Sequence, residues 1–314
     1  MKQFEPDISV IIPCFNVEPY IATTLVSVLE QSYPPYEVIL IDDGSRDRTP
    51  AIIEDFAARH SRIKVITLRP NQGVVAARNA GLAVARGTYV AMLDADDIWT
   101  PDALAKRVAL AARFSQADVI ATDFAWLQDD YQSPDATGRV GLGPRGAQAF
   151  ADSFKTRQPT LLTSPFEVVA TIHFAWTGAT LVRRGAMNAV GNFVPEFDGP
   201  EDTLLWLRLA NRGAFVFSPE VTAFYRQREG SLVTTLKGPK ELHYLKVLHW
   251  IQRQSEFSHH KSTISKLIAE CHHVSATHYW RAGDRKAALK HAFRAVRKQP
   301  VNLGYWKNVL TWNS

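Results

Sequence analysis

The sequence predicts an α/β protein: a mainly parallel sheet flanked by helices, with a helical appendage at its C-terminal end. Three observations predict it. Short apolar runs at Ile8–Ile12, Glu37–Ile41, Ile63–Thr67, Thr88–Leu93 and Asp118–Thr122 alternate with stretches of helical length, which is the spacing of βαβ units. Most of these runs lack period-two alternation, as strands buried on both faces of a parallel sheet do. Four of the five stop in polar or Gly/Asp-bearing loops. Open α/β sheets hold their ligands at those strand ends, so the loops should form one nucleotide-sized mouth.

The elements follow in order. Pro13 is expected to end the first strand, and Pro19 opens a helix to about Glu30 with Ile21, Leu25, Val28 and Leu29 near helical spacing. After the second strand, Asp47 is placed to cap a helix running through Ile52, Ile53 and Phe56. Asn71-Gln72-Gly73 turns the chain into an alanine-rich helix, Val74–Ala85, which carries Arg78 and Asn79. Pro101 to about Phe114 is helical, whereas Gln128–Gly146 is rich in Gly, Pro and Asp and reads as a loop or a break between halves. Val168–Val182 is mixed and contains Trp176-Thr177-Gly178. An amphipathic helix over Thr203–Asn211 is closed by Gly213, and Phe215–Phe217 and Val221–Tyr225 read as two short strands. From Lys240 the pattern is helical, and Ile264–Ala282 with Arg285–Lys298 reads as an α-hairpin turning at Gly283-Asp284. This divides the chain into a body over 1–236 and an appendage over 237–314.

Charge follows the same division. The net charge is +5, yet from Lys237 onward there are 14 Lys+Arg against 4 Asp+Glu, so the body is acidic and the appendage basic. Two cysteines far apart, Cys14 and Cys271, supply neither a disulfide framework nor zinc spacing, which points to a reducing compartment. The first residues lack the apolar core of a signal peptide, and no apolar run is long enough to span a bilayer. A cytoplasmic protein is expected. The histidines of Cys271-His272-His273 and His259-His260 are too close together for one tetrahedral zinc site and read as ordinary surface or partly buried side chains. The tryptophans are core residues by default, though Trp176, beside Thr177-Gly178, is placed to line a groove.

Chemistry is concentrated in Asp94-Ala95-Asp96-Asp97, three carboxylates within four positions after the fourth strand. Such acids repel one another unless something positive is present, and a hard divalent cation shared with substrate phosphates suits them. A solvated acidic turn is the alternative. A second acid pair, Glu201-Asp202, precedes an amphipathic helix; it is either functional or simply favourable at a helix N-terminus. Asp42-Asp43-Gly44-Ser45 is likewise either a ligand contact or a turn whose side chains cap their own backbone.

Six motifs in order decide between these readings: Pro13-Cys14-Phe15-Asn16; Asp42 to Asp47; Asn71-Gln72-Gly73 to Arg78-Asn79-Ala80-Gly81; Asp94 to Asp97; Glu201-Asp202; and Tyr225-Arg226 to Ser231. Together they resemble the inverting nucleotide-sugar glycosyltransferases of family 2, with the GT-A fold, over roughly residues 8–231. The resemblance implies that Asp202 is the general base and that Glu201 holds the acceptor or tunes it. Asp96 is the ligand of Mg²⁺ or Mn²⁺, Asp94 with Ala95 contacts the sugar-nucleotide, and Asp43 accepts a hydrogen bond from the base, typically uracil. Pro13, Phe15 and Asn16 line the base pocket, while Arg78 meets phosphate or the base. Many relatives carry a metal-ligating histidine two residues beyond the arginine of Tyr225-Arg226; here that position is Arg228. Arginine pairs with phosphate and not with a cation, so Arg226 and Arg228 are expected to hold the diphosphate. The implied donor is a UDP-sugar and the implied acceptor a glycan, glycolipid or surface polysaccharide, with no nucleic acid involved. Docking of the basic region on an anionic membrane surface is a further expectation.

Three rivals stand beside this reading. A sugar-nucleotide pyrophosphorylase would carry a glycine-rich phosphate loop where Pro13-Cys14-Phe15-Asn16 stands. A dinucleotide oxidoreductase would carry Gly-x-Gly-x-x-Gly, which is absent. A non-catalytic sugar-nucleotide-binding protein would be free to lose Asp96 and Asp202, and both are present.

Overall fold

A computed structural model describes residues 5–127, 143–197, 199–227 and 239–312. The chain divides into two compact units, Met1–Glu229 and Gly230–Ser314. The division expected at 236/237 falls outside the described residues.

The first unit is built on a nine-stranded mixed sheet. Strands β1 (Ile8–Cys14), β2 (Glu37–Asp42), β3 (Ile63–Thr67) and β4 (Tyr89–Met92) run parallel in the spatial order β3-β2-β1-β4. Helices α1 (Ile21–Leu29), α2 (Thr49–Arg59) and α3 (Val74–Val84) make the crossovers. Every residue of β2 and β4 is buried, which is why β4 and the interior of β2, Val38–Ile41, are apolar, with the buried acids Glu37 and Asp42 at the ends of β2. Helix α3 lies close on the sheet because Gly81 has no side chain: a Cβ there would stand 2.7 Å from Ile11 Cγ2 and 2.9 Å from Ile41 Cδ1.

Beyond β4 the sheet departs from a simple parallel order. Short β5 (Ile98–Trp99) and helix α4 (Ala103–Arg113) lead into β6 (Ala117–Leu127), which is twice as long as its apolar run suggested. Helices α5 (Gly143–Ala149) and α6 (Ala151–Thr156), strand β7 (Thr160–Leu162) and helix α7 (Phe166–Ile172) follow. Strand β8 (Thr180–Arg183) then inserts antiparallel between β4 and β6. After α8 (Arg184–Val190) and α9 (Glu201–Ala210), the two short strands expected after Gly213 are one, β9 (Ala214–Arg226). It runs parallel to β6 and takes up Pro219 and Glu220 at a bulge, where Thr122 pairs with Ser218 but Asp123 with Val221. β5 and β7 pair antiparallel with β9. Pro13 does not end β1; it pairs with Ile41, one residue from the strand's end.

The second unit is helical: α10 (Glu241–Arg253), a 3₁₀ segment (Ser255–His260), α11 (Lys261–Arg281), α12 (Arg285–Lys298) and α13 (Leu303–Trp312). The expected hairpin turn is present, with Gly283 at φ +84° and the Asp284 carboxylate accepting the Ala287 N–H at 2.9 Å. Its core is small: Ala269, Ala276, Ala292, Ala295, Val296 and Tyr305. His272 and His291 are buried with their Nδ1 atoms 3.1 Å apart, and among the described residues no three His, Cys, Asp or Glu side chains group to hold a metal. Both cysteines are free and buried. No described helix is long and apolar enough to cross a membrane.

Candidate active site

The parallel strands bring their C-terminal ends together. Cys14 is in register with Asp42, and Leu93, just past β4, donates its N–H to Ile11 O. The loops after β1, β2 and β4 therefore open on one edge. The turn Asp94–Asp97 is held from below by a residue that sequence reasoning passed over. Thr24, on the buried face of α1, donates its hydroxyl to Ala95 O (2.9 Å) and Asp97 O (2.8 Å). A polar residue on the apolar Ile21, Leu25, Val28 face was the signal for it.

Arg78 joins the two acid clusters. Its guanidinium is only 4 % exposed and lies between two carboxylates, Nη2 to Asp94 Oδ1 and Nη1 to Glu201 Oε1, each at 2.7 Å. Burial alone would weaken its hold on its proton, but Asp94 and Glu201 outweigh that, and its pKa moves up. Phe193 packs against the guanidinium, 5.4 Å from its centre. Arg78 was expected to meet phosphate or base, and the structure gives it two acid partners, the partly exposed Asp94 and the buried Glu201. The bridge holds Asp94 and Glu201 within one guanidinium's width of each other.

Glu201 and Asp202 form the first turn of α9, which starts two residues earlier than expected. Burial, then the neighbouring charge of Asp202, pushes the Glu201 carboxyl up to about 7 against the pull of Arg78. Burial likewise raises Asp202, with the charge of Asp94 adding a smaller push. Asp202 Oδ1 accepts hydrogen bonds from the Thr203 N–H and hydroxyl. Its Oδ2 takes none among the described residues, which leaves an acceptor lone pair for a ligand.

The remaining residues divide by exposure. Phe15 is 44 % exposed beyond β1. Asn16, at φ +51°, accepts the Arg46 N–H on its Oδ1, and Pro13 is half-buried. Asp43, expected at the base, is buried and gives both oxygens to backbone N–H groups, Oδ1 to Gln72 (2.8 Å) and Oδ2 to Gly73 (2.7 Å). Asp42 caps its own turn through the Ser45 N–H. Arg226 is buried at the end of β9. Its N–H donates to Asp97 Oδ1, its Nε–H to Asp96 O, and its guanidinium stacks over Tyr20 at 5.0 Å. Arg228 lies outside the described residues.

The acids fit a hard cation. Asp94 and Asp96 are partly exposed carboxylates two positions apart, and Asp97 is buried with one oxygen unpartnered. Oxygen donors of this kind, one or two per ion with phosphate and water completing the shell, suit Mg²⁺ or Mn²⁺.

The sequence profile described as "Glycosyl transferase family 2" matches residues 9–190. The chain belongs to that family. Among its relatives, it is 40 % identical over 156 residues to the uncharacterized glycosyltransferase EpsJ of Bacillus subtilis (strain 168), covering 48 % of this chain and 45 % of that one. It is 30 % identical over 239 residues to the succinoglycan biosynthesis protein ExoO of Rhizobium meliloti (strain 1021), covering 74 % of this chain and 64 % of that one. The match thus spans less than two thirds of either relative's length. In structure it is similar to residues 1–349 of S. aureus TarS in complex with UDP-GlcNAc, with a TM-score of 0.62, 18 % identity and coverage of 94 % of this chain and 92 % of that one. That likeness establishes a GT-A-type fold for the family-2 chain.

Proposed function

We propose that this protein transfers a sugar from a nucleoside diphosphate, UDP by preference, to an acceptor hydroxyl with inversion at the anomeric carbon. The observation that carries the reading is the Arg78 bridge. It holds Asp94, beside the expected diphosphate site, against Glu201, whose neighbour Asp202 has an oxygen free to take a proton. In the reaction the acceptor O–H gives its proton to Asp202 and its oxygen forms a bond to the anomeric carbon. The bond from that carbon to the diphosphate breaks, and the diphosphate leaves with the electron pair. One base opposite the leaving group dictates inversion, as in inverting glycosidases. Glu201 orients the acceptor or tunes Asp202.

Asp96 would hold Mg²⁺ or Mn²⁺, which when bound neutralises charge on the departing phosphates, while Asp94 would contact the sugar-nucleotide. Exposed Phe15, with Pro13 and Asn16, would line the base pocket. Buried Asp43 would shape that pocket through the Asn71–Gly73 loop. Arg226 and Arg228 would meet phosphate. Bound UDP-GlcNAc and UDP in TarS support a UDP-sugar donor, and the role of ExoO in succinoglycan biosynthesis supports a polysaccharide acceptor. Thermal-shift screening of UDP-, GDP- and dTDP-sugars with and without Mn²⁺ tests the reading. UDP-sugars should raise the melting temperature, and more so with Mn²⁺. In Asp96→Ala the Mn²⁺-dependent part should vanish, and an undiminished Mn²⁺ effect would remove Asp96 from the metal.

We further propose a cytoplasmic protein that docks on an anionic membrane surface. In the second unit, exposed Phe293, Val301, Leu303 and Trp306 accompany exposed Arg285, Lys286, Lys290, Arg294 and Arg297, the pairing of apolar and basic groups that such surfaces bind. Co-sedimentation with phosphatidylglycerol vesicles, but not with phosphatidylcholine vesicles, is the expected result.

A further inference from the structure

A cavity of about 130 Å³ opens beside Asp202. Its walls come from β6, from α7 and the segment between α7 and β8, and from α9, and not from the loops after β1 and β2 that face the expected nucleotide. Asp202 and Thr203 supply one wall, while the partly exposed Trp176 and the buried Phe124 and Trp206 supply aromatic lining. His173, exposed at the left-handed end of α7, adds a polar group at the rim. Asp202 is the sole carboxylate among the lining residues.

Trp176 is held in place from several sides. Its ring centre lies 4.5 Å from that of Phe124 and 5.3 Å, edge-on, from that of Tyr225. Beneath it is Gly178, where any Cβ would overlap the Trp176 ring. Gly178 is itself pinned: its carbonyl accepts from Trp99 Nε1 at 2.6 Å and from the fully buried Arg107 at 3.2 Å. The tryptophan is therefore a pre-set platform, with little rotamer freedom left to lose on binding.

We propose that this cavity is the acceptor subsite and that its occupant is a pyranose ring, stacked by its C–H face on Trp176 with one hydroxyl directed at Asp202. A sugar ring is flat, apolar on its faces and polar round its edge. That is the complement of an aromatic wall with a single carboxylate beside it. A flexible polyol has no such face, and a lipid phosphate would set an anion against Asp202. The inference deepens the transferase reading and rests on it: Asp202 takes the proton from the hydroxyl whose oxygen bonds to the anomeric carbon, and Trp176 decides which acceptors present that hydroxyl.

The test is saturation-transfer-difference NMR on the full chain, with methyl glycosides of glucose, galactose and N-acetylglucosamine as probes. Ribitol serves as the polyol contrast and UDP with Mn²⁺ as the donor-side control. In the unmodified protein, saturation should fall on the ring C–H protons of one face of at least one pyranoside and be absent from ribitol. Trp176→Leu, which keeps an apolar wall without a ring, should weaken that pyranoside roughly tenfold, while Trp176→Phe should lose less. UDP signals should persist in both variants. If Trp176→Leu fails to fold by its melting curve, the graded loss in Trp176→Phe decides. UDP binding with no Trp176-dependent pyranoside signal, or with ribitol saturated equally, overturns the subsite. Trp176-dependent pyranoside binding without any UDP binding supports the subsite and overturns the transferase reading instead.

Discussion

Arg78→Met is expected to destabilise the first unit by about 3–5 kcal/mol, the usual consequence of removing one member of a buried charge cluster. For a unit of this size that corresponds to a fall in melting temperature of roughly 10 °C. The reason is electrostatic. Glu201 is buried with one oxygen already unpartnered, Asp202 stands next to it, and Asp94 shares the same guanidinium. Without Arg78 three acids would face one another with no counter-charge. Arg78→Lys should recover only part of the loss, because one ammonium cannot present two separate nitrogens to two carboxylates as the fork does. Adding Glu201→Gln to Arg78→Met should restore part of the stability by removing one of the stranded charges, a coupling that a double-mutant cycle measures. An Arg78→Met protein that melts at the original temperature would show that the bridge is not a source of stability.

Asp202→Asn is expected to lower transfer by about 10²–10⁴-fold, the range for losing a general base, while binding of UDP with Mn²⁺ is unchanged. Single-turnover transfer and calorimetric titration separate the two. The pH profile of the unmodified protein should carry the same signature. A base works only when ionised, and both Glu201 and Asp202 have raised pKa values, Glu201 to about 7, chiefly through burial. Activity should therefore be full only well above pH 7 and be lost as the pH falls through the titration of the coupled pair. That limb lies above the ordinary carboxylate value of about 4. Full transfer activity in Asp202→Asn, or an acid limb at the ordinary carboxylate value, would remove the base assignment.

The candidate site was legible in outline because its pieces are local signals. Apolar runs that end in Asp-rich loops mark strand ends, and an acid pair before an amphipathic helix marks a helix start. Both are written within a few neighbouring residues. What those residues touch was not legible. Arg78 could be matched to a motif but not to its partners, since Glu201 lies 123 positions away. Thr24 binds a turn 71 and 73 positions further on. Asp43 sits in a motif consistent with either a base contact or a backbone cap. Only the fold of the Asn71–Gly73 loop over it shows that two N–H groups take both its oxygens.

The same distinction holds for the fold. Alternating strands and helices, the acidic body and basic appendage, and the Gly283-Asp284 hairpin were determined by sequence alone, because periodicity, charge and turn chemistry act over short stretches of chain. The insertion of β8 between β4 and β6, the merging of two short apolar runs into β9, and the cavity walled by Phe124, Trp176 and Asp202 were decided only in the tertiary structure. Each depends on which distant segment fills the next place on the sheet. That choice is made by the total burial and hydrogen bonding of the packed chain, which no local window contains.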